Sequence, residues 1–275
     1  MLLKKTKKEI PRNKAMKKLN NDDSILSIRS ICKSFGGLKA LNETSFDIKS
    51  ESITGLIGPN GAGKTTLFNV ITGFFKSDSG QVILDGKNVT NFSTHKLFKN
   101  GLIRTFQIPA SFERMTVLDN LMAVPINQVG ENLILTLMGS KKIKDDEKKI
   151  FLQAQGVLDF LEISNLARKY AGELSGGQKK LLELGKVMMT DPKVILLDEP
   201  GAGVNPSLMK KLSGFIKKLN KERGYTFCII EHDMDLISSL CDPIIVMAEG
   251  SVLAMGDIEK IRANNLVKEA YLGTK

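Results

Sequence analysis

The chain is predicted to fold as an α/β protein with a helical region set inside it, and three observations lead there. Short β-type segments alternate with helical patterns, one such segment flows directly into a glycine-rich turn that opens a helix, and from about Ile108 to Met189 the periodicity is helical. Ile25–Ile31, Ser45–Ile48 and Ile53–Ile57 read as strands, the last apolar and leading into the glycine turn. Behind the turn, Leu67, Val70, Ile71 and Phe74 fall at i, i+3, i+4 and i+7, the stripe of a helix lying on a sheet. Val82–Leu84 followed by Asp85-Gly86 reads as a strand ending in a hairpin turn. Ile150, Phe151, Ala154, Val157, Leu158 and Leu161 make one apolar helix face behind the charged start Lys144–Lys149. A strand at Val194–Leu197, a helix carrying Leu208, Leu212, Phe215, Ile216 and Leu219, and a strand at Phe227–Ile230 then alternate, which implies parallel βα units. Ile244–Met247 and Val252–Ala254, split by Glu249-Gly250, read as a late hairpin.

Composition narrows the class. The 275 residues are 42% hydrophobic and 25% charged, the profile of an ordinary globular protein with a real core. No apolar run approaches the ~18–20 residues that cross a bilayer, and no signal-peptide pattern is visible. Cys32, Cys228 and Cys241 are widely spaced among apolar neighbours, which reads as reduced, buried thiols in a cytosolic protein. The charge is uneven: residues 1–20 hold eight basic side chains against the one acid Glu9, so +7 of the net +10 lies there and the other 255 residues carry +3. The body is therefore not a nucleic-acid binder. The basic stretch reads as a solvated, disordered extension; contact with anionic lipid, at ~1 kcal/mol per charge, is its other reading.

The chemistry begins at Gly58, Pro59, Asn60, Gly61, Ala62, Gly63, Lys64, Thr65 and Thr66, which match the G-x-x-x-x-G-K-T phosphate loop in its required setting between strand and helix. Glycines let successive backbone N–H groups turn toward phosphates, and the helix start adds its dipole. In such a loop Lys64 reaches the β- and γ-phosphates and the Thr65 hydroxyl ligates Mg²⁺. Asp198, closing an apolar strand, is the second metal-holding candidate, and Glu199 beside it is the candidate to polarise the attacking water.

Leu174-Ser175-Gly176-Gly177-Gln178, lying between those two motifs, resembles the signature of ATP-binding cassette (ABC) ATPases. Physically it is again a glycine-opened helix start with a Ser hydroxyl, also readable as a helix cap when taken alone. The resemblance implies a RecA-like P-loop ATPase core with an antiparallel β subdomain and an α-helical subdomain at about 108–189, the whole domain covering 23–275 behind a tail at 1–22. It implies that Ser175, Gly176, Gly177 and Gln178 contact ATP held by a partner cassette. Gln107 resembles the glutamine that senses Mg²⁺ and the nucleophilic water, His232 the switch histidine at the γ-phosphate, and Phe35 the aromatic that stacks on adenine, with core packing as its alternative. His95 reads as a surface residue. Asn205 stands where many ABC proteins have Asp, which implies a differently tuned contact across the dimer.

Gly55–Phe68, Arg104–Gln107, Leu181–Gly185, Asp198–Pro206, Glu231–Met234 and Ala270–Gly273 are further similar to the ATPase subunits of branched-chain amino-acid importers, the resemblance covering about residues 25–273. It implies an ATP- and Mg²⁺-dependent motor at the cytoplasmic face of the inner membrane. Its partners would be ABC permeases, a homologous second ATPase or a second copy of itself, and, indirectly, a periplasmic solute-binding protein. The segment Phe112–Val124 would meet the permeases, and Gln128–Asp146 resembles a family insertion. Urea uptake, lipopolysaccharide export and soluble iron–sulfur assembly are the alternative roles for such an ATPase.

Overall fold

The structure, a computed structural model, describes residues 24–105, 111–126, 128, 130, 141–190 and 192–272. Its contacts divide the chain into two units, one drawing its described residues from 24–105 and 192–272, the other from 111–190.

The first unit holds two sheets. Strands β1 (Ser24–Phe35), β2 (Leu38–Lys49), β4 (Ser79–Leu84) and β5 (Lys87–Asn88) form an antiparallel sheet in the order β2-β1-β4-β5. Strands β3 (Ile53–Ile57), β6 (Leu102–Thr105), β7 (Val194–Asp198), β8 (Thr226–Ile230), β9 (Ile244–Ala248) and β10 (Ser251–Gly256) form the other, in the order β10-β9-β3-β8-β7-β6. It is parallel except for β10, which returns antiparallel to β9. Every residue of β3, β7 and β8 is buried, as parallel strands covered on both faces require. Helices α1 (Lys64–Ile71), α2 (Thr94–Lys99), α6 (Pro206–Arg223), α7 (Met234–Leu240), α8 (Ile258–Ala263) and α9 (Asn265–Leu272) complete the unit. Leu26, Ile28 and Phe46 of the antiparallel sheet, Leu67, Phe68 and Ile71 of α1, and Val194, Leu196 and Ile245 of the parallel sheet share one core. The chain therefore leaves β3, β7 and β8 at neighbouring ends of adjacent strands, the side of an open parallel sheet where ligands bind.

Both expected hairpins form. Asp85 (φ 50°) with Gly86 (φ 72°), and Glu249 (φ 48°) with Gly250 (φ 74°), are left-handed at both central positions, the geometry that matches strand twist in a two-residue turn. Other expectations need correction. Helix α1 stops at Ile71 because Gly73 turns left-handed (φ 73°), so Phe74 leaves the stripe and is exposed, edge-on to Phe75. Cys32 is only partly buried, whereas Cys228 and Cys241 are buried. His95 is exposed on α2, as expected.

The second unit is helical: α3 (Val117–Met122), α4 (Lys141–Phe160), α5 (Gly176–Met188) and short 3₁₀ turns at Ser164–Leu166 and Ala171–Glu173. Ile150, Ala154, Val157, Leu158 and Leu161 are buried as the apolar face requires, but Phe151 sits at its rim and is exposed. Helix α4 already begins at Lys141, so residues 141–146 of the expected insertion belong to it. Asn120, 1% exposed, organises the turn before α3 by exchanging hydrogen bonds with Phe112 N (2.9 Å) and O (3.0 Å). No helix among the described residues is long and apolar enough to cross a membrane.

Candidate active site

The glycine loop connects β3 to α1. Gly58 (φ 151°), Gly61 (φ 81°) and Gly63 (φ 95°) take conformations that L side chains rarely adopt, and a Cβ on Gly58 would lie 2.2 Å from the carbonyl oxygen of Met247. Ala62 is buried, Asn60 and Gly61 are exposed, and Thr65 and Thr66 occupy the first turn of α1, Thr65 exposed. Lys64 is 6% exposed, its Nζ donating to the carbonyls of Gly58 (2.7 Å) and Pro59 (3.0 Å). Burial pushes its pKa below the usual lysine range, while the nearby Glu199 and Asp198 carboxylates pull the other way. The cation is thus held curled over its own loop, with two acids within electrostatic reach.

Asp198 closes β7 and is 7% exposed. Its Oδ2 accepts from Arg104 Nη2 at 2.6 Å, and Arg104 Nη1 donates to Asn69 Oδ1 of α1, also at 2.6 Å. Glu199 follows in a left-handed conformation (φ 49°) and donates its N–H to Ile230 O at 3.0 Å. That bend brings Glu199 Oε1 to 3.1 Å from His232 Nε2, at the end of β8. The preceding Glu231 is buried, accepting from Gly201 N at 2.6 Å and from His232 N at 3.2 Å.

Lys64, Asp198, Glu199 and His232 are therefore brought together at the ends of β3, β7 and β8. Phe35 ends β1 with its ring 42% exposed, which removes the core-packing alternative; it stands edge-on to Phe75 at 5.2 Å, with Lys33 Nζ 5.4 Å from its centroid. Ser175–Gln178 belong to the helical unit, where they build a reciprocal cap on α5: Ser175 Oγ accepts from Gln178 N (3.3 Å) and Gln178 Oε1 accepts from Ser175 N (3.0 Å). Gln107 lies outside the described residues. Asn205 caps α6 by accepting from Leu208 N at 2.9 Å. Sequence reading assigned no role to Arg104 or Glu231, although each lies inside a quoted segment; the available signal was a charged residue in or directly after an apolar strand.

These residues fit a triphosphate with a hard divalent cation. The loop's left-handed glycines open the start of α1, a buried lysine stands beside it, and the Thr65 hydroxyl and Asp198 carboxylate are the oxygen donors Mg²⁺ prefers. The family profile described as ABC transporter matches residues 41–202. The chain belongs to this family. A probable branched-chain amino acid transport ATP-binding protein LivG of Archaeoglobus fulgidus is 43% identical over 91% of this chain and 96% of that relative. The high-affinity branched-chain amino acid transport ATP-binding protein BraF of Pseudomonas aeruginosa is 37% identical over 90% and 98% respectively. Among solved structures, a nucleotide-free ATP-binding cassette from an ABC transporter superposes with a TM-score of 0.78 at 41% identity, covering 92% of this chain and all of that one. This ABC protein binds ATP and hydrolyses it as the ATP-binding subunit of a transporter.

Proposed function

We propose that this ABC ATPase drives uptake of branched-chain or related amino acids, and that Glu199, His232 and Gln107 carry its hydrolytic step. The observation that supports the site assignment is the convergence of Lys64, Asp198, Glu199 and His232 at three adjacent strand ends. The solute assignment rests on the relatives just described.

In this reading Gly58–Thr66 cradle the phosphates through backbone N–H groups, and Lys64 exchanges its bonds to Gly58 and Pro59 for phosphate oxygens. Thr65, Asp198 and Gln107 would hold Mg²⁺, which supplies neutralisation of phosphate charge. Asp198 keeps one oxygen on Arg104, so the metal is offered the other. Phe35 presents its exposed ring to adenine. Glu199 polarises the water, and His232 is held against it, ready for the γ-phosphate. Ser175, Gly176, Gly177 and Gln178 are offered to ATP on a second cassette, either a homologous subunit or another copy. Closure of the pair is passed to the permeases through residues 112–124, where Phe112 is 64% exposed.

The test is reconstitution of the chain with its permeases in vesicles, with ATP on the cassette side and labelled leucine, isoleucine or valine outside. ATP-dependent uptake that disappears in Lys64→Ala is expected. Intact ATPase activity with transport of urea or lipopolysaccharide instead would overturn the solute assignment.

A further inference from the structure

Among the described residues the buried charged side chains are Lys64, Asp198 and Glu231. The first two have places in the proposed hydrolytic site; Glu231 has none. Its two carboxylate oxygens are divided between two segments. Oε1 accepts from the N–H of Gly201, two residues beyond Glu199, at 2.6 Å, and Oε2 accepts from the N–H of His232 at 3.2 Å. His232 Nε2 in turn lies 3.1 Å from Glu199 Oε1. The result is a closed ring running from Glu199 along the chain to Gly201, across to Glu231, on to His232 and back to Glu199. The ring is tight at its far side as well, since a Cβ on Gly201 would lie 2.8 Å from Glu231 Oε1.

We infer that Glu231 is a positioning residue whose carboxylate clamps the loop after β7 to the loop after β8, setting the angle at which Glu199 and His232 face each other. A carboxylate suits this task because both oxygens accept, and buried charge-assisted hydrogen bonds are the strong ones. A carboxamide of the same shape has one acceptor for two N–H groups, so one of them must lose its partner. The inference rests on the assignment of Glu199 and His232 to hydrolysis, but its structural half can be read without activity.

The chain has two histidines, His95, exposed on α2, and His232. In full-length protein with ¹³C-labelled histidine, Glu231→Gln is expected to displace the His232 ring resonance, as Glu199→Gln does, and leave that of His95 in place. Phosphate release should fall about 10- to 100-fold, the scale of small misplacements at an active site, with ATP affinity within about twofold of the parent. Gly201→Ala, whose added methyl would press on the same carboxylate, should behave alike and serves if Glu231→Gln does not fold. An unmoved His232 resonance together with unchanged turnover in either folded variant overturns the clamp. If Glu199→Gln itself hydrolyses ATP normally, the hydrolytic assignment fails, while the His232 resonance still decides whether the clamp exists.

Discussion

The two units handle polar chemistry in opposite ways. In the sheet-containing unit the polar groups that matter are buried and tied down: Lys64 on two carbonyls, Asp198 on Arg104, Glu231 on two backbone N–H groups. They stand at the ends of strands buried at every position, so the scaffold beneath them has little room to move. In the helical unit the one buried polar side chain among the described residues is Asn120, and its bonds go to a local turn. The motif there, Ser175–Gln178, is an exposed helix start satisfied by its own cap. In the proposed function the first unit holds ATP, and the second offers Ser175–Gln178 to a neighbouring cassette. That difference is what a motor divided between two subunits needs.

The contrast can be broken most severely at Lys64. Lys64→Ala removes the buried cation and should weaken ATP binding at least about 100-fold, since each hydrogen bond between charged groups contributes ~1.5–3 kcal/mol. Equilibrium titration with a fluorescent nucleotide reads this, and near-parent affinity would mean that the phosphates sit elsewhere.

Leu158→Ala strikes the other unit. Leu158 is 2% exposed, so truncation should cost about 2–5 kcal/mol of stability in a denaturant melt. The folded variant should still bind ATP within about twofold of the parent, and a large loss of affinity would show that the units do not divide the labour as described.

Ser175→Ala sharpens the comparison. Losing the cap costs about 1 kcal/mol of stability. The proposed role of the hydroxyl at a partner's nucleotide predicts unchanged ATP affinity and slower phosphate release. Equal losses of affinity and turnover would count against that role.

A pH dependence belongs to the core of the sheet unit. Burial, followed by the Glu231 carboxylate, pushes the Cys241 thiol from its ordinary 9.0 up to about 12, and burial pushes Cys228 higher still. The folded chain therefore keeps these protons where the unfolded chain releases them. Stability is full below pH 9 and declines as pH rises from 9 toward 12, on the order of 1 kcal/mol per unit for each thiol. Denaturation midpoints at pH 8 and pH 10 measure the decline, and Cys241→Ala should about halve it.

How much of this was legible depended on how local each feature is. Strand β3 was readable to the residue, because five consecutive buried positions leave a continuous apolar run. Strand β2 was readable only at Ser45–Ile48 out of Leu38–Lys49, since irregular register against β1 and partial exposure break its alternation. The hairpin turns and the phosphate loop announce themselves through residues that tolerate left-handed backbone. The Ser175 cap closes within four residues and is equally plain. The pairs that tune the site were hidden for the opposite reason: Arg104 and Asp198 are 94 residues apart, and Gly201 and Glu231 are 30 apart. Only the fold places them together. Phe74 misled because a helical period continued past the glycine that ends the helix.

The central claim is that Glu199 carries the hydrolytic step at a site that binds ATP without it. Phosphate release by the full chain, assembled with its partner cassette and supplied with Mg-ATP, tests this directly when compared with Glu199→Gln. The account predicts ATP affinity within about twofold and phosphate release slowed at least about 100-fold, the contribution of a positioned general base. Release at the parent rate from a variant that binds ATP normally would contradict it.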